Sequence, residues 1–156
     1  MRKGRILNRA LNDAISAMGH GDIMVLADVG YPIPETGVIK VDLALTHDVP
    51  DIYTILELIC EDFIYEKCVV AKEQEAYNKP LHSKIKALID RCEVETMPHE
   101  KFMPECQTKA KVVVRSGSLE PWGNIMLVSG IDAPTWFAKE GVITPDYYED
   151  RANYEG

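Results

Sequence analysis

Short apolar runs alternate along the chain with segments whose apolar residues recur every three or four positions. Ile6, Leu7, Ala10, Leu11, Ala14, Ile15 and Met18 share one helical face, which predicts a first helix closed by Gly19, at a position that favours a left-handed backbone. "DIMVLA" (22–27) shows no alternation and predicts a strand buried on both faces. "VIKVDLAL" (38–45) sets Lys40 and Asp42 against Val41 and Leu43 and predicts a second strand; Pro50 then opens a helix through "DIYTILELICEDF" (51–63). "KCVVAKE" (67–73) reads as a strand, "EQEAYNKPLHSKIKALIDRC" (73–92) as a helix interrupted or started near Pro80, and "EVETM" (93–97) as another strand. "PHEKFMPECQTK" (98–109) predicts a short helix with Pro98 in its first turn, and "KVVVRSG" (111–117) and "NIMLVSG" (124–130) predict two closing strands. Six strands interleaved with helices imply an α/β fold, a three-layer α/β/α arrangement on a six-stranded sheet in a single domain spanning residues 1–130.

The pattern changes beyond that point. Residues 131–156 carry Trp136, Phe137, Tyr147, Tyr148 and Tyr154 beside six acids and two bases, which predicts an aromatic, acidic C-terminal extension that docks on its own domain or on a neighbouring subunit. At 156 residues the chain can bury roughly two thirds of its unfolded surface, enough for a core without staples. A net charge of −8 argues against nucleic acid as a partner, since phosphate binding needs a basic face. Cys60, Cys68, Cys92 and Cys106 form no C-x-x-C pair and read as buried, reduced thiols. Asn8, Arg9, Asn12 and Asp13 break the N-terminal apolar residues, so no signal-peptide core forms, and no run approaches the ~20 apolar residues of a membrane helix. A cytoplasmic protein is the expectation.

Candidate chemistry gathers around "GHGDIMVLADVGYP". His20 lies between Gly19 and Gly21, where backbone can approach it closely, and an imidazole with an ordinary pKa of ~6.5 can act as general acid and base near neutrality. The competing structural reading is a loop histidine capping the helix. Asp28 stands just past a strand's carboxyl end, where ligands of α/β sheets commonly bind; it can equally cap a turn with Gly30 and Pro32. His99 opens a helix beside Glu100, whereas His47 and His82 read as surface residues. No H-x-H, H-E-x-x-H or H-x-x-x-H spacing occurs, so a metal site would need ligands from separated loops, and "GHG" and "GYPIPETG" match no phosphate-binding fingerprint.

Four stretches in order, "MRKGRILNRALNDAISAMGHGDIMVLADVGYPIP", "VDLALTHDVPDIYTILELI", "HEKF" and "VVVRSGSLEPWGNIMLVSG", resemble successive motifs of the D-ribose pyranase and L-fucose mutarotase family. "VDLALTHDVP" and His99 resemble the ribose pyranase branch. The resemblance implies an isomerase that interconverts pyranose and furanose, or anomeric, forms of a monosaccharide such as D-ribose by general acid/base catalysis. It implies no metal or organic cofactor, and a ring-shaped homo-oligomer, commonly a decamer, whose sites are shared between subunits. Carried over by position, His20 resembles the catalytic histidine, Asp28 and His99 fall in the sugar pocket, and Trp122 and Asn124 match a Tyr-x-Asn element that the adjacent subunit contributes. Three departures stand out: Trp122 replaces a tyrosine, Met103 stands where the ribose branch often has lysine, and the family's chain normally ends soon after "NIMLVSG". A non-catalytic monosaccharide-binding or regulatory protein on the same fold is the alternative, and turnover separates the two.

Overall fold

The computed structural model describes residues 3–154. Helix α1 (Arg9–Ser16) begins where the Asn8 side chain accepts the Leu11 N–H, and its apolar face buries Leu11 and Ala14. It ends at Ala17, and the left-handed residue of the turn that follows is Gly21 (φ 81°) rather than the expected Gly19. Strand β1 (Ile23–Ala27) is buried from its second residue onward. Strand β2 (Ile39–Asp42) is half the expected length, because it is an edge strand with only Val41 buried, and its last residue turns its carboxylate onto Arg115. Asp51 caps α2 (Ile52–Asp62), followed by β3 (Tyr65–Ala71). The expected break near Pro80 is real: Asn78 separates α3 (Lys72–Tyr77) from α4 (Lys79–Leu88) and accepts the Leu81 N–H. Strand β4 (Val94–Met97), helix α5 (His99–Lys109), β5 (Ala110–Arg115) and β6 (Ile125–Ser129) complete the sheet.

The six strands lie in the order β2-β5-β1-β6-β3-β4. All neighbouring pairs are parallel except those of β6, which runs against both β1 and β3. Alternation along β1 divides the core in two. Met24 and Leu26 face a large cluster with Leu11, Ile55, Ile59 and Ile85 of α1, α2 and α4; Val25 and Ala27 face a smaller one with Phe102 and Cys106 of α5. Helices thus cover both faces, the three-layer α/β/α arrangement the periodicity implies. His82 corrects its expected surface placement: it is 8% exposed, packed on α4 with its ring nitrogen 3.4 Å from Gln74 Oε1. All four cysteines are free; burial pushes the Cys60 and Cys92 thiols up to about 11 and Cys106 up to about 12, away from reactive thiolate.

The reversal of β6 decides where the ends of the chain's functional segments fall. Its N-terminal end lies beside the carboxyl ends of β1 and β3, and its C-terminal end beside their amino ends. Residues after Gly130 therefore start at the amino-end edge of β1 and β3, where α6 (Ala133–Phe137), a 3₁₀ turn (Asp146–Tyr148) and α7 (Glu149–Ala152) pack on the same subunit. Tyr148 contacts Phe137 and Tyr147, with ring centroids 5.4 and 5.1 Å away, and the Arg91 guanidinium lies 4.5 Å from the Tyr154 ring centroid. Among the described residues, no helix is long and apolar enough to cross a membrane.

Candidate active site

Polar groups gather beyond the carboxyl end of β1. Asp28 follows the last strand residue, and its Oδ1 accepts the Gly30 N–H at 2.8 Å in a tight turn, so the turn-capping reading of Asp28 holds as geometry. The Asp28 N–H donates to Asn124 Oδ1 at 3.0 Å, joining β1 to the start of the reversed β6. Asn124 is 5% exposed and its Nδ2 lies 3.9 Å from Met103 Sδ, one turn along α5 from His99. His99 opens α5 with its N–H donating to Glu73 Oε2 at 2.9 Å, and it is near enough to Asp28 to favour the carboxylate electrostatically. Burial nevertheless dominates and raises the Asp28 pKa from its ordinary value, against the hydrogen bonds with Gly30 and Asn124.

Trp122 closes one side of this group. Its backbone is left-handed (φ 54°), a conformation costly for a bulky residue unless its surroundings enforce it. The enforcement is visible: the buried Gln74 donates to the Trp122 carbonyl at 2.7 Å, and Asn78 Nδ2 donates to the Pro121 carbonyl at 3.1 Å. Tyr53 and Asn78 also donate to the Glu120 carboxylate, and the Trp122 ring lies against Tyr77, centroids 5.5 Å apart. Between this braced turn and Asp28 runs an open cleft of about 280 Å³ lined by Asp28, Gly30, Ser118, Glu120 and Trp122. Its carboxylates and aromatic face suit a polyhydroxylated ligand, with acceptors for hydroxyl protons and a ring to stack on C–H faces.

His20 is at the other edge of the sheet. The loop that carries it is pinned by the Gly21 N–H to the Ser129 carbonyl at 2.8 Å, and by Asp22 Oδ2, which accepts from the Gly19 N–H at 2.7 Å and from Lys111 Nζ at 2.6 Å. Those two donors hold the Asp22 carboxyl below its ordinary pKa. The His20 ring stands out of the loop, 45% exposed, with Nε2 3.2 Å from Glu66 Oε2. The five residues of β1 put roughly 16 Å of strand between His20 and Asp28. Within one subunit, then, Asp28, His99, Trp122 and Asn124 are brought together and His20 is not. The reversed β6 sets Asn124 against Asp28 of its own chain, with Trp122 on the same cleft.

Met103, Glu73, Gln74 and Glu66 are the residues that sequence reasoning did not place at the two ends. In the sequence Met103 is visible only as a departure from the ribose branch, and the other three lie on helix or strand positions with no local signal of their partners. Among the described residues, no three or more His, Cys, Asp or Glu side chains converge as a metal cage.

Polar and aromatic groups beyond the carboxyl ends of the strands, with an exposed imidazole at the opposite edge, mark a small α/β subunit whose candidate site residues are held apart. The description "RbsD / FucU transport protein family" matches residues 1–132, and the chain belongs to this family. D-ribose pyranase 2 of Rubrobacter xylanophilus is 46% identical over 152 residues, covering 97% of this chain and 98% of the relative. D-ribose pyranase 1 of Streptomyces griseus is 38% identical over 151 residues, covering 97% and 99%. Bacillus subtilis RbsD, solved in complex with D-ribose, superposes with a TM-score of 0.77 at 34% identity, covering 84% of this chain and 98% of that one. At 97% of this chain the two pyranases extend into residues 131–156, whereas the Bacillus chain covers 84% of it.

Proposed function

We propose that the chain is a D-ribose pyranase, an isomerase that interconverts the pyranose and furanose forms of D-ribose, and that each of its sites is assembled from two subunits of a closed ring. The observation that carries this reading is the separation of His20 from the Asp28, His99, Trp122 and Asn124 group by the length of β1. One chain cannot bring both halves to one sugar; a neighbour presenting its His20 edge to the cleft can. The ribose pyranase relatives support the substrate. Ten subunits are what the family resemblance implies, and a cytoplasmic location is the simplest one for an enzyme of sugar metabolism.

Ring opening requires loss of the proton on the anomeric oxygen and gain of one by the ring oxygen, giving the open-chain aldehyde; closure through the C4 hydroxyl reverses both transfers. The neighbour's His20 serves as acid/base, neutral when it accepts and cationic when it returns the proton. Asp28 and His99 hold hydroxyls, Asn124 both donates and accepts, and Trp122 stacks on the sugar, since its indole N–H can donate but cannot shuttle a proton. Positioned acid/base groups contribute ~10²–10⁴-fold, enough to outrun the spontaneous exchange.

The test is saturation-transfer NMR of ribose ring exchange with His20→Asn, Asp28→Asn, and subunits of the two mixed by unfolding and refolding together. Each variant alone is expected to lose exchange. Random mixing in a ring restores about a quarter of wild-type activity, because one site in four then combines an intact His20 with an intact Asp28 from its neighbour. No recovery on mixing refutes the shared site, and undiminished exchange by His20→Asn refutes the catalytic role. Ribose binding by the wild type with no exchange returns the chain to the non-catalytic alternative.

A further inference from the structure

The C-terminal extension reaches the histidine. Arg151 of α7 donates from Nη1 to Glu66 Oε2 at 2.8 Å, the same oxygen that lies 3.2 Å from His20 Nε2. Glu66 is the least exposed of the three, at 18%, against 45% for His20 and for Arg151. Arg151 is itself seated by the aromatic cluster of the extension, its guanidinium 5.2 Å from the Tyr148 ring centroid. Glu66 on β3 pairs with the ring and Arg151 on α7 with the same Glu66 oxygen; on the ring's own loop Asp22 is paired with Lys111 of β5, and Arg91 and Asp150 line the cleft behind Glu66.

We propose that Glu66 and Arg151 are positioning residues for His20, and that the extension acts as a brake on the charge Glu66 exerts on the ring. The inference rests on the catalytic reading of His20 given above. A carboxylate facing Nε2 makes Nε2 the protonated nitrogen and leaves the Nδ1 lone pair free to take a proton from the sugar. Glu66 alone would also favour the imidazolium, which cannot act as a base. Arg151 shares the same oxygen, draws off part of that attraction and adds its own positive charge beside the ring. Chains of this family that end near residue 130 have no counterpart of Arg151 and must set their histidine by other means.

The two partners therefore act in opposite directions, which a merely structural role would not produce. With four histidines in the chain, ¹³Cε1-histidine labelling gives few resonances, and the one lost in His20→Asn is His20. Glu66→Gln and Arg151→Gln are expected to move the midpoint of the His20 resonance in opposite directions, down and up in pH respectively, by modest amounts because both neighbours are partly screened by solvent. The acid limb of the ribose-exchange rate should move the same way in each variant, and Arg151→Lys should move both readouts back toward wild type. Equal-direction shifts, or a His20 titration unmoved in both variants, overturn the proposal. If His20→Asn keeps full exchange, the catalytic reading falls, and the ring titration still decides whether Glu66 and Arg151 set the imidazole.

Discussion

Gly123→Ala tests the braced turn that carries Trp122 and Asn124 to Asp28. A Cβ at position 123 would lie 2.8 Å from the Glu120 carbonyl oxygen, 2.9 Å from Glu120 Cβ and 3.3 Å from Asp28 Cβ. The first contact is with backbone, which cannot swing away as the end of a side chain can. Glu120 is also held by Tyr53 and Asn78, and Asp28 by Asn124 and Gly30, so the two sides of the wedge resist it. Relief requires a separation of several tenths of an ångström between the 120–123 turn and β1, and overpacking of this kind costs about 1–3 kcal/mol. For a chain of this size that corresponds to a fall in Tm of roughly 3–10 °C. Gly19→Ala is the matched control: its Cβ would meet only Asp22 Oδ2 at 3.4 Å, an ordinary contact, and it should stay within about 0.5 kcal/mol. Differential scanning fluorimetry measures the stability, and saturation-transfer NMR the exchange, which should fall about tenfold or more as the cleft opens. A Gly123→Ala protein with wild-type Tm and exchange would show that the turn does not hold Asp28 as described.

Truncation after Gly130 removes Arg151 and Tyr154 and uncovers Glu66 and Arg91; it should lower Tm and raise the acid limb of the exchange rate, as Arg151→Gln does, and light scattering will show whether the oligomer weakens as well. The Asp22 carboxyl has a folded-state pKa held down by Lys111 and Gly19, so its contribution to stability is full above the unfolded value and is lost as pH falls through the folded one; Asp22→Asn should flatten the acid side of a Tm-against-pH curve. Asp28 has the opposite sign, its pKa raised by burial, so its ionised form penalises the fold above the folded pKa. Asp28→Asn should then gain stability relative to wild type at pH 7, lose that gain near pH 4, and bind ribose poorly throughout.

The elements that sequence patterning revealed are those whose signal is local. Five of the six predicted strands match to within a few residues, since Met24 to Ala27 or Val112 to Val114 are apolar whichever way the strand points. Strand β2 came out short because alternation does not reveal that an edge strand stops where Asp42 meets Arg115. The direction of β6 was not legible at all: apolar runs carry no arrow, and the connection through the 116–124 loop turns it over. That reversal is what sets Asn124 beside Asp28 within one chain. His82 looked like a surface residue because its burial depends on Gln74, eight positions earlier on another helix. Glu66 alternates with apolar neighbours as any solvent-facing strand residue does, and its two partners lie 46 and 85 positions away.

The reversed strand also constrains how this protein can be counted. On the shared site proposed above, a subunit with complementary halves at opposite edges adds to its neighbour head to tail, like a link with one hook and one eye. An open file of n such links has n − 1 joined pairs and two idle ends, whereas a closed circle has n. Activity per subunit therefore measures closure: dilution that opens a circle into short files should lower it stepwise, and free subunits should have none, while every chain stays folded.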